Sequence, residues 1–373
     1  MICKTFFPVI LLCLSQLFGY AQNVSDIERA IVQRVDSNCE ASIEFLKTTV
    51  NINSGTMNPV GVQKVGKLYQ QFLEELGFTT RWVEMPTSMN RGGHLIAEMK
   101  GNKGKSLMLV GHMDTVFEED SPFQHWQKQD TIAYGPGATD MKGGNMVMLY
   151  SLKALKDAGQ LAGRQITVVL HGDEESPGRP IDISRKDIIE LAKRSDIALA
   201  YEPSTGFGYV TTARRSSSGW TLEVDGIQAH SSYVFSNRVG SGAIYETARI
   251  LYTFHEKLRE ESLTYSPGLI VGGSDAALDS SGISGYASGK TNLVADVVIV
   301  KGDLRTISNE QLCVTRQKME TIVAESFPKT KARITFSDGY PAMVETQGNR
   351  DLLKHFSRVS TDLGLGEVQA YDP

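Results

Sequence analysis

The sequence predicts an α/β protein: a doubly wound layer of strands and covering helices, interrupted by an inserted α+β module. Three observations lead there. Unbroken apolar runs at 107–110, 166–170 and 197–201 suit parallel strands covered on both faces. Helical patterns alternate with these runs, as in a doubly wound layer. After about Arg215 the pattern changes: Trp220, Leu222 and Val224 alternate with polar residues, as a half-buried strand requires.

Taken in order, the chain opens with "MICKTFFPVILLCLSQLFGYAQ". Lys4 leads an apolar run to about Leu17, and small residues follow near Gly19 and Ala21. Residues 1–21 therefore read as a secretory signal peptide cut near Ala21 or Gln22. The run is short for a membrane span. An exported protein, periplasmic or secreted, is expected, with no span once the signal is removed. Ser25 and Glu28 form a capping box at the start of a helix. Its stripe Ile27, Ile31, Val35, Cys39, Ile43 makes Cys39 a small buried hydrophobe. The same burial is expected of Cys313, and two thiols make no disulfide framework. A second helix carries Val65, Leu68, Phe72 and Leu76 and stops at Gly77. A third has Met148, Leu152 and Leu155 on one side and closes at Gly159.

In the inserted module a long helix holds Ile244, Ala248, Leu251 and Leu258, with strand candidates at 293–304 and 332–336. The Gly/Ser-rich stretch "DSSGISGYASGKT" reads as a mobile loop. After Tyr340-Pro341 a helix spans 351–363. The expected organisation is a first domain in two parts, 22–214 and 339–373, with 215–338 inserted. The net charge of −5 over 373 residues argues against a nucleic-acid partner.

The chemistry gathers where the apolar runs end. The first ends in His112 and Asp114, the second in "HGDEES" with Glu174 and Glu175, the third in "YEPS" with Glu202. "GPGATDMKGG" places Asp140 on a glycine-rich turn before a helix. Ligands of open α/β sheets bind beyond the carboxyl ends of the strands. One imidazole and several carboxylates converging there would repel one another unless a cation joined them. Imidazole with carboxylates suits zinc. No "GxSxG" elbow follows a strand, so a serine hydrolase is not supported.

With "GHMDTV", "GPGATDMKGG", "GDEES" and "YEPS", then "GIQAHSS" and "GKTNLVADVVIVKGDLRT", the chain resembles the cocatalytic zinc exopeptidases and amidohydrolases. That family includes glutamate carboxypeptidase, aminoacylase and succinyl-diaminopimelate desuccinylase. The resemblance runs from about residue 25 to the end. It implies a zinc-exopeptidase catalytic domain with an inserted ferredoxin-like domain that serves as lid and as the interface of a homodimer. It implies that His112 and Glu202 bind one zinc, Glu175 the other, and that Asp140 bridges them. It makes Glu174 the general base on a metal-bound water and has Asp114 orient the His112 ring. It implies that His230 reaches the substrate of the partner subunit, that Asn292 and Arg305 bind the substrate carboxylate, and that the Asp140–Met141 peptide is cis. The implied reaction is hydrolysis of a peptide or N-acyl amino-acid amide bond. "YEPS" and "TARR" lean toward the carboxypeptidase branch.

The sequence departs from the pattern in one respect. A late histidine for the second zinc should stand in a glycine-rich loop. Only His255 and His355 follow His230, and both sit in helical contexts. The expectation is a C-terminally incomplete member whose second zinc lacks a ligand. A catalytically silent binding or dimerisation homologue is the alternative.

Overall fold

The computed structural model describes residues 24–373, so the signal-peptide reading lies outside the described residues. The chain divides into one unit ending at Ser204 and a second from Thr205 to Pro373.

The first unit begins with α1 (Asp26–Val50), whose Ser25–Glu28 capping box is present, and α2 (Pro59–Leu76). Asn58 caps α2, Pro59 stands at its start, and Gly77 ends it in the left-handed region at φ 98°. Then come β1 (Thr79–Val83), β2 (His94–Met99), β3 (Lys103–His112), the small pair β4 (Gln127–Gln129) and β5 (Ile132–Tyr134), and α3 (Lys142–Asp157). β6 (Arg164–His171), α4 (Ile181–Ser184), α5 (Lys186–Ala192) and β7 (Ile197–Ala200) complete the unit.

The main sheet has the order β1-β2-β6-β3-β7. The three apolar runs are its parallel part: Leu107 pairs with Ile166 on one side and with Ile197 on the other. β1 and β2 extend it antiparallel, an addition that no apolar run announces. Successive side chains explain why the runs are unbroken. Leu95, Ala97, Leu109, Val168 and Leu170 face a core shared with Val65, Tyr69 and Leu73 of α2 and Met148, Leu149 and Leu152 of α3. Their neighbours Ile96, Met108 and Val169 face Leu191 and Ile188 of α5 on the other side. With a period of two and both faces covered, every position is apolar.

One expectation is overturned. Cys39 and Cys313 are both exposed, and so are Ile27, Val35 and Ile43 of the α1 stripe. Along α1 only Thr49 and Val50, in the last turn, are buried. The stripe is amphipathic, but nothing described covers it.

The second unit contains β8 (Tyr209–Val210), β9 (Ser218–Asp225), β10 (Ala229–His230), α6 (Ala243–Lys257), β11 (Thr264–Gly273), β12 (Asp275–Leu278), β13 (Gly285–Ser288), β14 (Leu293–Val294), β15 (Val297–Arg305), α7 (Asn309–Ala324), β16 (Lys331–Asp338), α8 (Gln347–Asp362) and β17 (Gln369–Ala370). Its antiparallel sheet runs β11-β15-β9-β16. With α6 and α7 this is the βαββαβ ferredoxin-like arrangement. Trp220, Leu222 and Val224 are buried against Ile250 and Phe254 of α6 and Met319, Ile322 and Val323 of α7, while the residues between them are only partly buried. The single strand expected at 293–304 is two, β14 and β15, and the expected loop at 279–291 is partly the β12–β13 hairpin. Its turn is closed by Asp279, which accepts hydrogen bonds from Ser281 Oγ and Gly282 N. Residues near the end of the chain pair with those before β9: β17 lies parallel to β8, and Met343 bridges Arg214.

One glycine decides how closely α3 approaches the sheet. A Cβ on Gly144, in the first turn of α3, would run into the carbonyl oxygen of Tyr201, just past β7. In an open helix Gly→Ala stabilises by about 1 kcal/mol. Gly144→Ala should instead lower the melting temperature, because α3 has to shift off the strand end. A thermal melt monitored by circular dichroism checks the sign.

Candidate metal centre

β3, β6 and β7 are parallel, so their carboxyl ends share one edge, and the expected acidic residues follow those ends. His112 closes β3 and is buried. Its Nδ1 lies 3.0 Å from the backbone carbonyl of Asp114, and its Nε2 lies 3.1 Å from Asp140 Oδ1 and 3.6 Å from Glu202 Oε1. A carbonyl only accepts, so Nδ1 carries the proton and donates it. Nε2 then faces two carboxylates with either a second proton or a bare lone pair. Burial opposes a charged ring, but Asp114 and Glu202 outweigh it and push the His112 pKa up to about 11. Ligand atoms of His112, Asp140 and Glu202 lie within 4.8 Å of one another. A divalent cation satisfies the lone pair and both carboxylates at once, so this donor set fits a metal.

Asp114 has a larger part than ring orientation. Its carboxylate is fully buried, and Oδ1 is 3.4 Å from His112 Nδ1. Oδ1 accepts from the backbone N–H of Glu174 at 3.0 Å. Oδ2 accepts from the N–H of Glu175 at 3.1 Å and from Thr56 Oγ1 at 2.7 Å. Burial acts to raise its pKa, but the contact with His112 and the hydrogen bonds from Thr56 and Glu174 hold it below the ordinary carboxylate value. Asp114 therefore fixes the turn after β6. On that turn burial raises the pKa of Glu174. Burial and the nearby Asp140 charge push Glu175 up to about 7.

Asp140 stands directly before α3, and the Asp140–Met141 peptide is cis, as the resemblance implies. Two supports here escaped the sequence reading. Lys142 Nζ is buried and donates to the carbonyls of Thr49 and Ile52 at 3.0 and 3.1 Å, which ties the end of α1 to the Asp140 turn. Burial lowers its pKa to about 7. Asn145 Nδ2 donates to the His112 carbonyl at 2.6 Å. "DMKGGN" contains both residues, but only the fold shows where they reach.

His94, His171 and Asp173 also bring ligand atoms within 4.8 Å of one another. Two of its three members are committed elsewhere, while His171 Nδ1 is buried without a hydrogen-bond partner among the described residues. His94 Nε2 donates to the Ser184 carbonyl at 2.9 Å and Nδ1 accepts from Gly172 N at 3.2 Å. The Asp173 carboxylate pairs with Arg185 at 2.6 Å. Burial lowers the pKa of both histidines, His171 the further.

The residues expected to bind substrate lie in the second unit, where His230 and Asn292 come together and Arg305 stands apart. His230 pairs with Leu293 in the β10–β14 ladder, beside Asn292, and both are exposed. His230 Nδ1 accepts from Ser232 N at 3.2 Å. Arg305 ends β15 and pairs with Asp303 at 2.9 Å. Eight residues of β15, roughly 26 Å at strand rise, separate it from the end nearer Asn292. His255 and His355 are exposed on α6 and α8.

Comparisons with known proteins place the chain in a family and a fold. A profile of the peptidase family M20/M25/M40 matches residues 108–372. Carboxypeptidase G2 of a Pseudomonas species is 26% identical over 353 residues, spanning 91% of this chain and 79% of that protein. The crystal structure of aminopeptidase PepT from Bacillus cereus superposes with a TM-score of 0.70 at 17% identity, covering 90% of this chain and 84% of that one. The Bacillus subtilis YXEP protein, described as a dinuclear metal-binding peptidase, superposes with a TM-score of 0.59 at 14% identity, over 91% and 83% of the two chains.

Removing the Asp114 carboxylate frees the turn after β6 and the His112 ring together. Asp114→Ala should weaken zinc binding by roughly 10–100-fold. Competition with a chromophoric chelator measures it.

Proposed function

The chain belongs to the peptidase family M20/M25/M40 and is a metallo-hydrolase, and we propose that it removes a terminal amino acid from a peptide or N-acyl amino acid. The observation that carries this reading is the convergence of Asp140 and Glu202 on His112 Nε2, beside a turn that presents Glu174 and Glu175. We assign a first zinc to His112, Asp140 and Glu202, and a second to Asp140 and Glu175. Bound there, zinc supplies Lewis acidity toward an amide carbonyl and an attacking water.

The residues of the chain do the rest. Glu174 takes the proton of the attacking water and delivers it to the amine that leaves. Its raised pKa suits a base that must give the proton back. Asp114 keeps Glu174 and Glu175 at fixed backbone positions, so the base and the ligand act from one turn. The likeness to carboxypeptidase G2 favours a substrate with a free carboxylate beside the scissile amide. We assign its recognition to Asn292 and Arg305, since an arginine pairs bidentately with a carboxylate.

The separation of His230 and Asn292 from Arg305 along β15 supports a homodimer in which His230 serves the partner subunit's site. We further propose that 215–338 is the inserted dimerisation domain, with 205–214 and 339–373 flanking it; the pairing of β8 with β17 supports this. Export remains part of the proposal, and N-terminal sequencing of the secreted chain should begin near Gln22. No helix among the described residues is long and apolar enough to cross a membrane.

The direct test is hydrolysis of dipeptides and N-acyl amino acids by the zinc-loaded chain. Glu174→Ala should lower turnover at least about 100-fold while zinc stays bound, because a base is not a ligand. Glu175→Ala should instead lose zinc. Equal loss of zinc in both variants refutes the division of roles. The 373-residue chain should hold one zinc tightly and the second more weakly, since Asp140 and Glu175 alone supply two carboxylates; metal analysis after dialysis reads the stoichiometry.

For the trans role, Glu174→Ala and His230→Ala subunits are mixed under conditions of exchange. Partial recovery of turnover is expected, and no recovery in verified heterodimers removes the role.

A further inference from the structure

The turn from Gly172 to Gly178 carries Glu174 and Glu175 but has no helix or strand of its own. Asp114 grips it from one side. On the other side lies a buried assembly that the proposed reaction leaves unused. Asp173, next to the two glutamates, has a fully buried side chain. Its Oδ1 accepts from Arg185 Nη1 at 2.6 Å. Its Oδ2 accepts from Ser184 Oγ at 2.6 Å and from Gly178 N at 2.8 Å, which closes the turn on itself. Arg185 Nη2 reaches the Asp173 backbone carbonyl at 2.9 Å. One guanidinium therefore holds both the side chain and the main chain of the residue before Glu174. His94 adds a brace between the Ser184 carbonyl and Gly172 N. Further along, Arg91 Nε donates to the Ser176 carbonyl at 2.7 Å.

We propose that Arg185 is a positioning residue: through the buried carboxylate of Asp173, its guanidinium holds the turn that presents Glu174 and Glu175. The proposal rests on the assignment of Glu175 as a metal ligand and Glu174 as the base. The chemistry requires arginine in particular. A planar fork meets the Asp173 carboxylate and carbonyl together, whereas a lysine ammonium offers a point charge on a flexible stem. Asp173 is shielded from water, so no solvent replaces the lost contact. The turn is thus held between two buried carboxylates, Asp114 gripping the N–H groups of Glu174 and Glu175 and Asp173 gripping Gly178 N and Arg185.

The test uses the full chain. Zinc affinity of the metal-free protein is measured by competition with a chromophoric chelator, and kcat and KM on a substrate the wild type cleaves. Arg185→Lys should weaken zinc binding and lower kcat, each by roughly 10–100-fold, with KM little changed. Arg185→Gly should lose more and regain part of both when guanidinium is added. Leu161→Ala, a buried change after α3, controls for destabilisation: it should lower the melting temperature and leave zinc affinity alone. Wild-type zinc affinity and kcat in a folded Arg185→Lys overturn the proposal, as does a folded Arg185→Gly that guanidinium leaves unimproved. Where Arg185→Gly does not fold, Arg185→Lys decides alone. If the wild type binds zinc but cleaves no amide, the proposed function fails and the zinc arm still decides the role of Arg185. If the wild type binds no zinc, both fall.

Discussion

The buried carboxylate of Asp114 is the constraint on which the site depends. A carboxylate without exposure needs donors on every side. Here they come from three separate pieces of chain: Thr56 before α2, His112 at the end of β3, and the N–H groups of Glu174 and Glu175 after β6. Satisfying one buried charge therefore locks the strand edge together. Without it, Glu174 and Glu175 would lose one of the two buried carboxylates that hold their turn against the repulsion of Asp140 and Glu202.

The fold opposes that repulsion with backbone rather than with counter-charges. Lys142 is near, but its ammonium is buried on the carbonyls of Thr49 and Ile52 and does not neutralise the cluster. Arg185 is committed to Asp173. His112 is a cation-forming group that both Asp140 and Glu202 reach, and its raised pKa records the attraction of Asp114 and Glu202 for positive charge. A proton on Nε2 meets that demand partly. A divalent ion meets it with two charges and satisfies every lone pair, which is why the acid excess is read as a metal centre.

Sequence reasoning brought His112, Asp140 and Glu202 to one candidate site because two of them follow apolar runs and the third precedes a helix, and such patterns survive folding unchanged. His112, Glu174, Glu175 and Glu202 are legible as strand-end residues, and Asp140 as a helix-start residue. The supports were not legible. Asp173, Arg185, Ser184 and His94 meet across as many as 90 residues, and no spacing encodes such a contact. The α1 stripe misled for a related reason. Periodicity shows that a helix has an apolar face; it does not show that anything covers it, and Cys39 is exposed. The β12–β13 hairpin hid inside a Gly/Ser-rich stretch because Asp279 and its hydroxyl partners close the turn without a strong apolar pattern on either strand.

The two units also differ in how they hold their functional residues. In the first, parallel strand ends bring His112 and Glu202 together, and the turn before α3 adds Asp140. In the second, His230 and Asn292 share a short ladder while Arg305 stands at the far end of β15, on a strand whose core residues Val298, Val300 and Leu304 pack against α6 and α7. His230, Asn292 and Arg305 are exposed, and none supports the core. Under the proposed assignments, substrate choice would change by exchanging surface residues of the ferredoxin-like sheet without disturbing Asp114 and Asp173, the buried carboxylates that hold the turn of Glu174 and Glu175. The fold itself is shared with the structure of an aminopeptidase, while a carboxypeptidase is among the chain's relatives by sequence.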